Sequence, residues 1–323
     1  ATTVFDSGLP TTINTAINDD VVIKNSSSGD ATAVTLKNGA AITAQGLNAA
    51  GVTVEDTSTL SIEGGKITGS SALSGGPGIV LDGMTRLTMG EGVVQAVGAF
   101  PGISAFSALT VSISGGSISG GSGPTTGFLD DRNGLSMFSG ILAISGGTFT
   151  GGDVTNAANQ GGSGLLIDGG TTSAQIAGGI FTGGEDELGG GFGLALIGSE
   201  VEVLGGTFSA GNSSGDNRLS VSVSSAAILN LKGGMFDGDF AVEFDGVLNV
   251  FGEDLTFQNG MLKGHLQSGE EISVSVGLVQ GGQVNLINSG FGAVLPPQIP
   301  LPPALPLLAA GLGALALIQR RSA

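Results

Sequence analysis

The chain has 323 residues, of which 61 are Gly and none is Cys, Trp or Tyr. Ten Lys or Arg against 27 Asp or Glu leave a formal net charge of −17, which repels polyanions and argues against nucleic acid as a partner. Without cysteine there are no disulfides, and a single domain of this length fits an extended core in which each unit touches only its neighbours.

In chain order, the first residue is Ala, which fits a mature end left after removal of a secretory signal peptide. Residues 1–20 carry no Gly-Gly unit. Val4-Phe5, Leu9-Pro10 and Ile13-Asn14-Thr15-Ala16-Ile17 form an apolar segment expected to act as an N-terminal cap or first rung. Val21-Val22-Ile23-Lys24-Asn25 and Val34-Thr35-Leu36-Lys37-Asn38 read as the first regular strands.

A repeated unit follows. It appears as Leu60-Ser61-Ile62-Glu63-Gly64-Gly65-Lys66-Ile67, degenerately as Leu87-Thr88-Met89-Gly90-Glu91-Gly92-Val93-Val94, then as Val111-Ser112-Ile113-Ser114-Gly115-Gly116-Ser117-Ile118. Leu142-Ala143-Ile144-Ser145-Gly146-Gly147-Thr148-Phe149 continues it, as do Gly178-Gly179-Ile180-Phe181, Gly205-Gly206-Thr207-Phe208 and Gly233-Gly234-Met235-Phe236. From Gly115 the first glycine of each pair recurs after 31, 32, 27 and 28 residues. A second motif, Gly-apolar-x-apolar, keeps the same beat upstream at Gly51, Gly78, Gly102, Gly134, Gly164 and Gly193. Apolar residues alternate with period two, which is the period of a strand.

Each unit therefore reads as three short strands with a Gly-Gly corner before the third. Gly suits a corner that needs positive φ. A unit of this size buries its apolar face only by stacking on copies of itself, about 4.8 Å apart. The expected fold is all-β: one right-handed parallel β-helix of roughly ten coils over residues 21–288. Ile67, Ile118, Phe149, Phe181, Phe208 and Phe236 should form an internal ladder. The body resembles the pectin-lyase-like β-helix superfamily in architecture.

The loops between units differ. Residues 122–133 include Pro124, Asp130, Asp131 and Arg132; residues 152–162 are rich in Asn; residues 183–193 contain Glu185-Asp186-Glu187. Such insertions emerge on one side of a solenoid, often the binding side. Beyond Gly238 the pattern loosens, and Glu271-Ile272-Ser273-Val274-Ser275-Val276 and Gln283-Val284-Asn285-Leu286-Ile287 read as closing strands.

Residues 289–303 form a Pro-rich linker, and residues 304–318 form an apolar run of 15 residues, read as a helix and closed by Arg320-Arg321. This layout, with Ile299-Pro300-Leu301-Pro302-Pro303 ahead of the apolar run, resembles the PEP-CTERM class of exosortase sorting signals, in particular its VPLPA variant. Ile299 stands where that motif has Val, and Pro303 where it has Ala. The resemblance covers residues 296–323. It implies an exported protein of a Gram-negative bacterium, handled by exosortase-type machinery, with transient membrane contact through the tail. An ordinary single-pass anchor, or a tail retained in an assembly, remains the alternative.

The residues offer little catalytic chemistry. His265 is the only histidine, so there is no multi-His metal site and no Ser-His-Asp arrangement. The bases Arg86, Arg132, Arg218 and Lys232 are few, and Asp130-Asp131-Arg132 is the strongest polar cluster. Asp130, Asp131, Glu185, Asp186 and Glu187 are weak candidate Ca2+ ligands; no other cofactor is expected. Asp82-Gly83, Asp168-Gly169 and Asp245-Gly246 read as turns. With Trp and Tyr absent and Phe assigned to the interior, sugar processing is disfavoured. The expected function is a non-catalytic extracellular or cell-surface structural protein that self-assembles into a homopolymeric filament, layer or biofilm component. A surface adhesin or glycan-binding module is the alternative, and a polysaccharide lyase or hydrolase the third reading.

Overall fold

A computed structural model describes residues 1–72, 74–123, 131–154, 160–169, 173–185, 190–212 and 218–288. The sorting-signal residues Ile299, Pro300, Leu301, Pro302, Pro303, Arg320 and Arg321, and the apolar run expected to be helical, lie outside them. The described body belongs to one compact unit, residues 1–292. Its elements are all strands, with no helix among the described residues and hence none long and apolar enough to cross a membrane.

A single 30-stranded sheet, almost entirely parallel, winds through the body as a solenoid with three faces. The first face starts with Thr2–Phe5, which pairs with Asp20–Ile23, then Val52–Val54, Ile79–Leu81 and Ile103–Ala105 in succession. The second face starts with Thr11–Ile13 on Ala33–Leu36, and the third with Ala16–Ile17 on Ala41–Thr43. Residues 1–17 therefore make a complete coil and not a separate cap.

Period-two alternation decides which side chains enter the core. On the first face Ile23, Val54, Leu81, Ala105, Met137, Ile167, Leu196, Val223 and Val242 are register partners in turn, all fully buried. On the third face the column runs Ile17, Ile42, Ile67, Val94, Ile118, Phe149, Phe181, Phe208, Phe236. Their neighbours along each strand mostly point outward, and the coils close an apolar interior.

The Gly-Gly corner needs its two glycines for different reasons. The second, as at Gly147 with φ +99, holds the left-handed conformation. From Gly115 onward the first does not: a Cβ on Gly178 would sit 2.7 Å from the Ser145 carbonyl oxygen of the coil before it. Positive φ thus accounts for only half of the motif, and close backbone approach for the rest.

The C-terminal end departs from the expected run of closing rungs. Val247–Gln258 leaves the second face and turns back at Asn259 and Gly260, with φ +51 and +77, into Met261–Leu266. Both φ values are positive, as a two-residue hairpin demands. Glu271–Val279 pairs antiparallel with Met261–Leu266 and then, from Val276, parallel with Asp239–Glu243. Ile272 to Val276, expected as a solenoid rung, are therefore mostly part of an antiparallel flap. Its Leu255, Leu262, Leu266, Ile272 and Val274 join the core. Gln283–Asn288 returns to the second face as a parallel strand on Val247–Gln258.

Candidate functional site

The interior is committed to packing. Phe149, Phe181 and Phe208 are fully buried, and consecutive rings from Phe149 to Phe236 stack at 4.7, 4.8 and 5.3 Å. Phe236 is half-buried and meets Phe240 edge-on at 4.9 Å, so the ladder ends there. Ile67 and Ile118 extend the same column as buried residues.

Not every Phe is inside. Phe106 and Phe244, at the corners after the first face, are 52% and 49% exposed. Phe106 stacks on Phe138 at 5.3 Å between ring centres, with the planes 11° apart. Both follow a first-face strand directly, and their amides donate to Leu81 and Ala105. The strand phase has ended at the corner, so apolar identity there no longer implies burial. Assigning all Phe to the core was therefore mistaken.

The Asp131-Arg132 segment is a buried polar cluster. Asp131 Oδ1 accepts a hydrogen bond from Ser136 Oγ at 2.8 Å and a second from Asn133 Nδ2. Asn133 Oδ1 accepts from the Ser163 amide at 2.6 Å, and Arg132, itself buried, donates to the Gly123 carbonyl at 3.0 Å. Burial pushes the Asp131 carboxyl above its ordinary range; the bonds from Ser136 and Asn133 oppose that rise and the Asp168 charge adds to it.

Glu185 lies on another column. Its amide donates to Asp153 Oδ1 at 2.8 Å, and its Oε1 accepts from Asn212 Nδ2 at 2.8 Å. Asp130, Asp186 and Glu187 lie outside the described residues. Among the described residues no group of three His, Cys, Asp or Glu side chains is arranged to hold a metal ion.

The bases are dispersed. Arg218 pairs with Asp237 at 3.2 Å; Lys232 pairs with Glu202 and sits 5.2 Å from the Phe251 ring centre. His265 is exposed on the flap, beside Glu271. Beside the loops a zigzag of backbone bonds climbs through glycines: Gly152 to the Arg132 carbonyl, then Gly162 to Gly152, Gly184 to Gly162, Gly191 to Gly184 and Gly211 to Gly191, at 2.7–2.9 Å. The signal for it was the second set of Gly-Gly pairs, at 151–152, 161–162 and 183–184, inside stretches read only as loops.

The ends of the solenoid expose what the middle hides. Leu278 is the register partner of buried Val242, yet it is 44% exposed. Val284 and Leu286, partners of buried Leu248 and Val250, are only half-buried. At the other end Phe5 and Ile17 are half-buried. Among the described residues no strand pairs with the outer edge of Thr2–Phe5, Thr11–Ile13 or Gln283–Asn288.

On the outer surface of the second face three asparagines form a ladder leading to that end. Asn230 Nδ2 donates to Glu200 Oε1 at 3.0 Å, Asn249 Nδ2 to Asn230 Oδ1 at 2.9 Å, and Asn285 Nδ2 to Asn249 Oδ1 at 2.9 Å. No protein family, curated protein or solved structure matches this chain.

Proposed function

We propose that the chain is a non-catalytic structural protein of the cell surface or extracellular matrix. In this reading it is a right-handed parallel β-helix that assembles into a filament, layer or biofilm component. Right-handedness follows from the strong preference of parallel crossovers for that hand. The supporting observation is that core columns run to strands whose outer edges pair with no strand among the described residues, ending in half-covered Leu278, Val284 and Leu286. Burying an exposed side chain of this kind is worth about 1.5–3 kcal/mol, and covering one already half-buried roughly half of that; a solenoid that stays single shields its ends with polar caps.

The tail belongs to the same reading. The proline motif, apolar run and terminal arginines would direct export in a Gram-negative bacterium through exosortase-type machinery, with transient membrane contact. Protein recovered from its native cell surface should form ordered polymer by negative-stain microscopy, and mass spectrometry should place its C-terminus ahead of residue 304. Monodisperse rods under all salt and calcium conditions would overturn the assembly reading.

A glycan-binding surface module is the second reading, favoured by the exposed Phe106–Phe138 stack, since flat apolar rings offer a platform for sugar faces. Loss of glycan-array binding on Phe106→Ala would support it.

A further inference from the structure

We propose that the C-terminal coil is a docking surface for the N-terminal coil of a second copy of this chain, in one defined register. The first face would pair Leu278 with Phe5 of the next copy. The second face would pair Val284 with Thr11, Asn285 with Thr12 and Leu286 with Ile13. This rests on the assembly reading above and adds the surface, the partner and the register.

Three observations carry it. The first is spacing. Within the body Val242 and Leu248 carry the core columns of the first and second faces, six residues apart. Leu278 and Val284, which extend those columns, are also six residues apart, as are Phe5 and Thr11 at the other end. A coil added at this junction therefore brings both faces into register at once, as successive coils do inside the molecule.

The second is phase. Phe5 partners buried Ile23, and Thr11 and Ile13 partner buried Val34 and Leu36, so their positions belong to the inward columns. Stacked on Leu278, Val284 and Leu286, they continue the core without turning a polar side chain inward, apart from the small Thr11. A slip of one residue would set the outward-facing Asn285 against the inward Thr11 or Ile13 of the second copy, so the alternation selects the register.

The third is the polar column outside. Asn285 donates to Asn249, and among the described residues its Oδ1 accepts no bond. Thr12 opens the equivalent column, whose next members are Thr35 and Ser61. Its hydroxyl is suited to donate to Asn285 Oδ1, extending the side-chain ladder across the junction. The contact joins unlike surfaces, so it leaves one fresh end of each kind and propagates.

The chain has no cysteine, which makes disulfide trapping clean. Parallel partners on neighbouring strands lie within reach of a disulfide. Full-length chain carrying Thr12→Cys and Asn285→Cys, oxidised under assembly conditions, should give a ladder of covalent oligomers on a non-reducing gel. Mixing the two single variants should give only dimers joining unlike chains. Val4→Cys with Gly277→Cys tests the same register on the first face and leaves the asparagine ladder intact. Thr35→Cys with Asn285→Cys, an out-of-register pair, should give no ladder. Polymer seen by sedimentation but trapped by neither in-register pair would overturn this register and leave the assembly reading standing. Monomer throughout would overturn both.

Discussion

The rings of Phe149 and Phe181 stack 4.7 Å apart and 12° from parallel, both with no exposed surface. They are separated by one full coil, and the backbone register that pairs them also pairs Thr148 with Ile180 and Thr150 with Thr182. The ladder is thus a by-product of coil stacking: each ring repeats at the strand spacing, slightly offset, and packs against the ring above.

Phe181→Ala removes a ring with neighbours on both sides and should cost about 3–5 kcal/mol. Phe236→Ala, at the half-buried end, should cost clearly less. Chemical denaturation of both variants checks the order; equal costs would mean that ladder position is irrelevant.

The two roles of glycine separate experimentally. A Cβ on Gly184 would overlap the Gly152 carbonyl oxygen, whereas Gly29, with φ +89, has open space around that position. Gly29→Ala should cost only the conformational penalty of about 1–2 kcal/mol. Gly184→Ala incurs no such penalty, since Gly184 lacks a positive φ, but it must push two coils apart and should lower the melting temperature considerably more.

Two carboxylates should set opposite pH trends. Burial raises the Asp131 pKa on folding, so the folded chain holds that proton more tightly. Its favourable contribution is full below the unfolded value and is lost as pH rises through the folded one. Asp131→Asn keeps the acceptor oxygen, so it should stabilise the chain at pH 7 and lose that advantage near pH 3.5, measured by urea denaturation.

Glu202 behaves in reverse. Its pKa is lowered, first by the hydrogen bond from Lys232 and also by that from Gln175. Its contribution is present above the unfolded value and disappears as pH falls through the folded one. The pair is partly exposed, so Glu202→Gln should cost about 1 kcal/mol or less at pH 7 and nothing in acid.

A net charge of −17 opposes association of like chains. Raising ionic strength shortens the Debye length from about 10 Å at 0.1 M toward about 3 Å at 1 M. Assembly followed by light scattering should therefore quicken with salt. A rate that falls with salt would point to contacts made by opposite charges.

The coil is legible in the amino-acid pattern. Period-two alternation chose inward and outward sides, and the recurring Gly-Gly pair marked the same corner in each unit, so the column through Ile67, Ile118, Phe149, Phe181, Phe208 and Phe236 was readable from spacing alone. Such features repeat locally, and the repeat multiplies a weak signal. Where repetition stops, the outcome is set by contacts between coils. The Asn259-Gly260 turn sends the chain back into an antiparallel flap, Phe106 and Phe138 leave the strand phase and stack outside, and partly buried Asp131 bonds Asn133 and Ser136, with Asn133 bonding Ser163 in turn. Gly152 and Gly184 are glycine because of backbone that lies one coil away. The Phe106–Phe138 stack, the Asn133–Ser163 bond and the approach of Gly184 to Gly152 each join segments some thirty residues apart, brought together by the corners, and no local pattern records such a distance; the Asn259-Gly260 turn is a local hairpin signal, but which face its flap covers is not.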